Sequence, residues 1–516
     1  MSPALLLLAL VDVGLASDKG APAGPDGDKA PAPTPAEAAA ALAEARGLPR
    51  WFSTSGEARL ITTLPPTELV VDNEGNTLGQ SLVLDSRLRA GVGFDWKGFE
   101  ARTEWDLFDG QLAGDAWDLR GTEDARHRES LDLFARPDAF TARRLSVGGR
   151  VGPVALEGGL VTSRWGLGML ANDGAVDPEF GRNDFGDRVI RLRVATRPIQ
   201  GKPLTIVVAG DRVVEDELAD WSPLEGGEEA WQFVGSVIYG ERDAARAGVY
   251  YVYRDQTEID AVRTTRVHVA DAYGDLPLAI KGADLRLAVE GAGIFGETSR
   301  GQSYTSRDGL QVQSAGVTGL AEARLKAVPL RFAARGGWAS GDTNPDDGES
   351  NDFSFDRDFD VGSVLFDEVL GAVDAAAYAQ LEDPANSGGA PDGAESLVAE
   401  GAFRSAAFVQ PIVELTPKKW LSVKAGVLMA WSTRPIQQPF TTARNGGVPT
   451  NHLGDTTAGY DLGTEINWSV KLGDVPMKRV WHLQPALLIQ GGHLLAADNL
   501  GGETVTVVSA AARTRW

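Results

Sequence analysis

Leu82-Val83-Leu84-Asp85-Ser86-Arg87-Leu88-Arg89-Ala90-Gly91-Val92-Gly93-Phe94-Asp95-Trp96 decides the fold. The even positions are apolar or small, and the odd ones carry Asp85, Arg87, Arg89 and Asp95. After a Lys97-Gly98 turn the parity resets. Phe99, Ala101, Thr103, Trp105 and Leu107 alternate with Glu100, Arg102, Glu104 and Asp106. A period of two places these residues on the two faces of paired strands. The strands are long for a soluble protein. One face carries opposed full charges, and the other ends in aromatics. Hydrocarbon outside, water inside and aromatics at the interfaces is the pattern of a transmembrane β-barrel.

The rest of the chain repeats this hairpin. Candidate strands lie near 54–64, 82–96, 98–108, 141–152, 154–164, 187–197, 203–213, 229–241, 245–256, 263–277, 283–297, 309–326, 329–340, 398–415, 419–432, 456–471, 477–493 and 502–516. The expected fold is therefore all-β: an antiparallel up-and-down transmembrane barrel of about 18 strands, with 16 as the alternative. Tight turns such as Lys97-Gly98, Gly152-Pro153, Gly201-Lys202, Lys281-Gly282 and Pro417-Lys418 alternate with longer connections. The longest of these are 109–140, 165–186, 341–397 and 433–455. Sorting short and long connections to opposite ends suits a barrel in a membrane. Trp96, Phe99, Tyr239, Trp468, Trp481 and Trp516 lie by the short turns; Trp105, Trp231, Tyr253, Trp338 and Trp431 lie toward the long loops. Amphipathic rings collect at both membrane interfaces. Pro485, in the middle of a candidate strand, fits this scheme badly.

Composition agrees. The chain has 516 residues, 43% of them hydrophobic, yet a mean hydropathy of only -0.15. Alternation hides apolar residues from such an average, and no segment past the N-terminus is long enough for a membrane helix. There is no cysteine, so disulfides, thiolate metal sites and cysteine nucleophiles are excluded. A net charge of -23 argues against nucleic acid as a partner and favours cations over anions as permeants. Residues 1–16 have the apolar run and small-residue end of a secretory signal, although no basic residue precedes the run and Asp12 interrupts it. Residues 17–50 hold a Pro/Ala/Gly-rich tether and a short helix begun by the capping box Thr34-Pro35-Ala36-Glu37. The barrel is expected over 51–516, with a long inserted loop at 341–397.

Three motifs stand out against the strands. They are Ser163-Arg164-Trp165-Gly166-Leu167-Gly168-Met169-Leu170-Ala171-Asn172-Asp173-Gly174, Phe185-Gly186-Asp187-Arg188-Val189 and Phe355-Asp356-Arg357-Asp358-Phe359-Asp360-Val361-Gly362. In these the chain resembles an uncharacterised family of myxobacterial outer-membrane β-barrels, and more distantly porins and alginate-export-type barrels. The resemblance implies a porin-like barrel over the mature chain and brings no catalytic residues.

Inward charges are the candidate pore-lining set: Arg87, Arg89, Glu100, Arg102, Glu104, Asp106, Arg191, Arg193, Arg331, Arg335, Lys424, Asp461 and Glu465. Opposed charges across a lumen order water and sort solutes by charge. The 341–397 loop is too long for a plain connection and is expected to fold inward and narrow the barrel. Within it Asp356, Asp358 and Asp360 have the spacing of calcium ligands, with Asp367 in the twelfth position. Val361 stands where such a loop needs glycine, and a solvated acidic loop is the simpler reading.

No enzyme or cofactor signature is present. Gly291-Ala292-Gly293-Ile294-Phe295-Gly296 matches a dinucleotide fingerprint as a string but lies on an alternating strand. The five histidines show no zinc spacing, and there is no GxSxG. The expected function is passive diffusion of small hydrophilic solutes across the outer membrane of a Gram-negative bacterium. The expected partners are lipid, the solute and calcium. A plugged barrel serving adhesion or binding through acidic loops is the alternative, and a barrel lipase the third reading.

Overall fold

Alternation becomes eighteen long strands. They are β1 (Phe52–Leu64), β2 (Val83–Trp96), β3 (Phe99–Gly114), β4 (Thr141–Val151), β5 (Val154–Thr162), β6 (Arg188–Thr196), β7 (Leu204–Asp216), β8 (Glu229–Tyr239) and β9 (Arg246–Thr257). They continue as β10 (Thr264–Ala279), β11 (Ala283–Thr298), β12 (Leu310–Leu325), β13 (Leu330–Ala339), β14 (Ala406–Lys418), β15 (Leu421–Ser432), β16 (Asp461–Gly473), β17 (Gln484–Ala496) and β18 (Thr504–Arg515). The computed structural model describes residues 49, 51–64, 70–71, 77–78, 82–114, 140–183, 186–382 and 401–516, less 217, 224–225, 242–243, 260–261, 304, 457–458 and 478–482. The expected leader and, apart from Pro49, the tether and helix lie outside the described residues, as does Trp481.

Each long strand pairs antiparallel with its neighbours in the chain. β1 pairs with both β2 and β18, which closes the barrel. At the seam Gly56 N donates to Trp516 O and Trp516 N donates to Gly56 O, each at 3.0 Å. The Trp516 ring lies over Gly56 where any side chain would collide with it. Closure leaves no unpaired edge, the condition for a sheet in hydrocarbon.

The two faces of the wall are chemically opposite. On β2, Asp85 and Arg87 are buried while Phe94 and Trp96 are exposed. On β8, Trp231, Phe233, Val237 and Tyr239 are exposed while Ala230, Val234 and Ser236 are buried. Exposed aromatics recur at both ends, with Phe99 and Trp420 by the short turns and Trp338 and Trp431 toward the long loops. A closed antiparallel barrel with this exterior is an outer-membrane barrel of the Gram-negative type. No helix among the described residues is long and apolar enough to cross a membrane.

Three details depart from the sequence reading. β14 begins at Ala406, not near 398, because Phe403 O and Arg404 are engaged by Phe355 and Ser354 of the inserted loop. β17 begins at Gln484, so Pro485 lies at the strand's end. Its nitrogen, which cannot donate, faces no partner on β16, whose pairing stops at Ala486. Finally, a register shift where β15 meets β16 leaves Gly463 at φ 111. The bulge turns Leu462 into the core and leaves Asp461 exposed.

Candidate functional site: a charged interior crossed by two loops

The inward faces of β2 to β7 form a lattice of ion pairs, most of them between neighbouring strands. Arg87 Nε donates to Asp109 at 2.9 Å, and Arg89 grips Asp106 with bonds of 2.6 and 2.8 Å. Arg102 pairs with Asp95 at 2.6 Å and approaches Glu100 at 3.8 Å. Glu104 lies 3.0 Å from Arg143. Glu157 receives Arg144 at 3.0 Å and Arg193 at 3.5 Å. Arg191 is bidentate on Asp211 at 2.5 and 2.6 Å. The register explains this: residues opposite or diagonal on adjacent strands come within reach, and opposed charges there attract.

Two long connections enter the space these walls enclose. The first runs from β13 to β14. In it Phe353, Phe355, Phe359 and Phe366 join Phe403 and Phe408 in edge-on contacts with centroids 4.7–5.7 Å apart. This cluster packs on inward residues of β13 to β18, including Leu428, Leu462, Leu494 and Val507. Gly316 of β12 and Gly492 of β17 clear room for Phe353 and Val364. A π-turn, Leu365–Leu370, leads into α1 (Gly371–Glu382). Glu465 on β16 accepts the amides of Ser363 and Leu365, both at 2.8 Å. At the loop's base Asp352 is shut in by Arg404, Arg434 and Ser405. Burial works to raise the Asp352 carboxyl, but Arg434 and Arg404 beside it hold it below the ordinary carboxylate value.

The second connection, 163–187, was expected only as a loop, and its course was not legible in the sequence. Trp165 stacks on Tyr250 with centroids 5.0 Å apart and donates Nε1–H to Asp271 on β10 at 2.7 Å. Leu167 N donates to Glu290 on β11. Met169 and Leu170 pack into the phenylalanine cluster, and Asp356 N donates to Met169 O at 2.8 Å, so the two loops hold each other. The chain then descends to the short-turn end of the barrel. There Asp177 meets Arg513 and Arg515 of β18, and Glu179 meets Arg331 of β13 and Lys424 of β15. Phe180 fills a gap between Ala333 and Ile412. The return limb is tied by Arg182 to Asp85, by the Arg182 amide to Asp360, and by Gln490 Nε2 to Gly181 O at 2.8 Å.

The placement of the candidate residues follows. Arg87, Arg89, Glu100, Arg102, Glu104, Asp106, Arg191 and Arg193 belong to the wall lattice. Arg331 and Lys424 meet at Glu179, and Arg331 also reaches Glu322 at 2.9 Å and Glu414 at 3.1 Å. Arg335 donates to Asp360 O at 3.0 Å and lies over the Phe359 ring. Glu465 is a buried anchor of the first loop, and Asp461 is exposed beyond the bulge. Asp356, Asp358 and Asp360 are all buried, with Asp358 N donating to Asp356 Oδ1 at 2.8 Å. Among the described residues no three acidic or histidine side chains converge to hold a metal ion, so the calcium expectation finds no ligand cluster there. The candidate set left out Trp165, although the first quoted motif contains it, as well as Asp177, Glu179, Asp271 and Glu290. The available signal was apolar residues alternating with glycine inside a supposed surface loop.

No protein-family profile and no curated protein matches the chain. The myxobacterial and alginate-export resemblances therefore stand on the quoted motifs alone. Among solved structures, the chain is similar to Acinetobacter baumannii OccAB1 (10% identity, TM-score 0.48, covering 90% of this chain and 96% of that one). It is similar to Pseudomonas aeruginosa OpdL (9% identity, TM-score 0.48, covering 90% and 98%). It is also similar to Pseudomonas aeruginosa OccK2 in complex with glucuronate (12% identity, TM-score 0.47, covering 90% and 97%). At such identities nothing about the solute carries across.

Proposed function

We propose that the protein is an outer-membrane channel for small hydrophilic solutes, with the two inserted loops as its filter. The observation that carries this reading is the contrast between the loops' fastenings. The described parts of the first loop, 341–382 and 401–403, are fixed by buried phenylalanines, each contributing roughly 1.5–3 kcal/mol. The tip of the other loop, 174–183, is fastened mainly by ion pairs and hydrogen bonds to the wall, besides Phe180. The exposed pairs of Asp177 are worth about 0–1 kcal/mol each and weaken in salt, while those of the more buried Glu179 hold only as long as its carboxyl is ionised. A filter with one fixed and one yielding side suits a channel that admits solutes past wall charges. Barrels of this strand number can enclose an aqueous path.

The test is planar-bilayer recording of the full barrel beside a variant whose 174–182 tip is replaced by a short Gly/Ser link. Stepwise conductance that rises several-fold in the variant is expected. Folded barrel that conducts in neither form would sink the channel assignment and favour a plugged binding protein.

A further inference from the structure

The tip of the 163–187 loop reads Asp177-Pro178-Glu179, and it lies in the barrel as a small dicarboxylate would. Proline fixes its own φ and disfavours helical backbone at Asp177, so the two acids sit on a stiff link. Each enters a cationic fork. Asp177 accepts from Arg513 Nη1 on both oxygens at 2.9 Å, and from Arg515 Nη2 at 2.8 Å. Glu179 accepts from Lys424 Nζ at 2.7 Å and from Arg331, whose Nη1 lies at 3.2 Å. The Lys424 ammonium spends its other hydrogen bond on the Glu179 carbonyl at 2.9 Å.

Fixed wall acids do not balance these forks. Beside the first stand Glu57, 2.6 Å from Arg515, and Asp474, which Lys471 also engages at 3.0 Å. Beside the second stand Glu414 and Glu322, and Arg324 also engages Glu322 at 2.5 Å. Among the described residues, each group holds at least three cations against two wall carboxylates once the tip is set aside. A solute at this depth meets that local surplus, not the overall charge of -23. The first fork is open to water, with the Asp177 and Arg515 side chains 42% and 37% exposed. The second adjoins the apolar niche that Phe180 fills, and Lys424 Nζ stands 5.5 Å from that ring.

Building on the channel reading above, we propose that the two forks are solute subsites for a small dicarboxylate. Asp177-Pro178-Glu179 is their tethered occupant, which such a solute displaces. A tethered ligand competes at an effective concentration near millimolar, so the resting barrel keeps the forks filled until anionic solute accumulates.

The experiment measures binding, not conduction. Fluorescein-labelled acetyl-Asp-Pro-Glu-Phe is titrated into the detergent-solubilised full-length barrel and followed by anisotropy. The wild type is compared with Asp177→Asn/Glu179→Gln, and single Glu179→Gln serves if the double variant fails to fold. Vacating the forks is expected to tighten peptide binding at least about tenfold. Binding should weaken with added salt and yield to unlabelled glutarate. The neutral peptide acetyl-Asn-Pro-Gln-Phe should not bind. Equal affinity in wild type and variants, or equal binding of the neutral peptide, would overturn the proposal. A barrel that shows the expected binding but never conducts would sink the channel reading alone.

Discussion

Glu465 accepts the backbone amide of Leu365 at 2.8 Å from within a site that admits no solvent. The same carboxylate takes the amide of Ser363, so one side chain on β16 caps the start of the π-turn and pins the inserted loop to the wall. Glu465→Ala removes both acceptors and leaves two buried amides unpaired, at about 2–4 kcal/mol in total. Glu465→Gln keeps an acceptor and should cost less. Limited proteolysis should therefore cut the 341–382 loop faster in the alanine variant than in the glutamine one. Unchanged cleavage in both would show that the phenylalanine cluster holds the loop unaided.

Arg191 and Asp211 test a different property of the interior. Both side chains are 0% exposed, so the pair belongs to the wall's own stability. Asp211→Ala strands a buried guanidinium and should cost about 3–5 kcal/mol. Arg191→Met/Asp211→Leu replaces both charges with apolar bulk and should recover most of that loss. Urea unfolding of the barrel reads both effects. Conductance through the folded double variant should match wild type, because no solvent reaches the pair. A changed ion selectivity would place Arg191 on the solute path after all.

The strands were legible in the sequence because period-two alternation is local, and a buried face repeats it in every strand. Strand ends were less so. Phe403 and Arg404 alternate like strand residues, but the inserted loop claims their backbone, so β14 starts after them. The bulge at Gly463 reversed the expected faces of Asp461 and Leu462, since one extra residue flips every side chain beyond it. Lumen charges could be listed from parity, but their partners could not. Glu179 lies 152 residues from Arg331 and 245 from Lys424. Contacts that distant leave no periodic trace. The inserted 341–397 loop betrayed itself by length, while the 163–187 loop, though also long, carried no sign that it runs inside the barrel.

Trp165 joins that second loop to the wall through one ring face and its N–H edge. Trp165→Phe keeps the stacking on Tyr250 and deletes the Nε1–H donor to Asp271. A buried acceptor losing its partner costs about 1–3 kcal/mol. Hydrogen exchange across 163–174 should accelerate by roughly one to two orders of magnitude, with the strands unaffected. Exchange that stays at the wild-type rate would mean that Met169 and Leu170 alone set the loop's docking.

Acid should loosen the tip of the same loop. Burial works to raise the Glu179 carboxyl, but the hydrogen bond from Arg331 and the charges of Lys424 and Arg331 outweigh it and hold it at about 2, against an ordinary 4.5. Asp177 is likewise held below its ordinary value, burial being outweighed by Arg513 and Arg515. Depressed values mean that docking favours the ionised forms. Their contribution is complete above the undocked value of 4.5 and fades as pH falls toward about 2. For Glu179 alone it amounts to roughly 3 kcal/mol. Single-channel conductance should thus be flat from pH 8 to about 5 and rise between about pH 4 and 2. In Glu179→Gln the rise should shrink and the neutral-pH conductance should already be higher. A wild-type profile that stays flat down to pH 2, or one that rises equally in the Glu179→Gln barrel, would show that these carboxylates do not hold the tip in place.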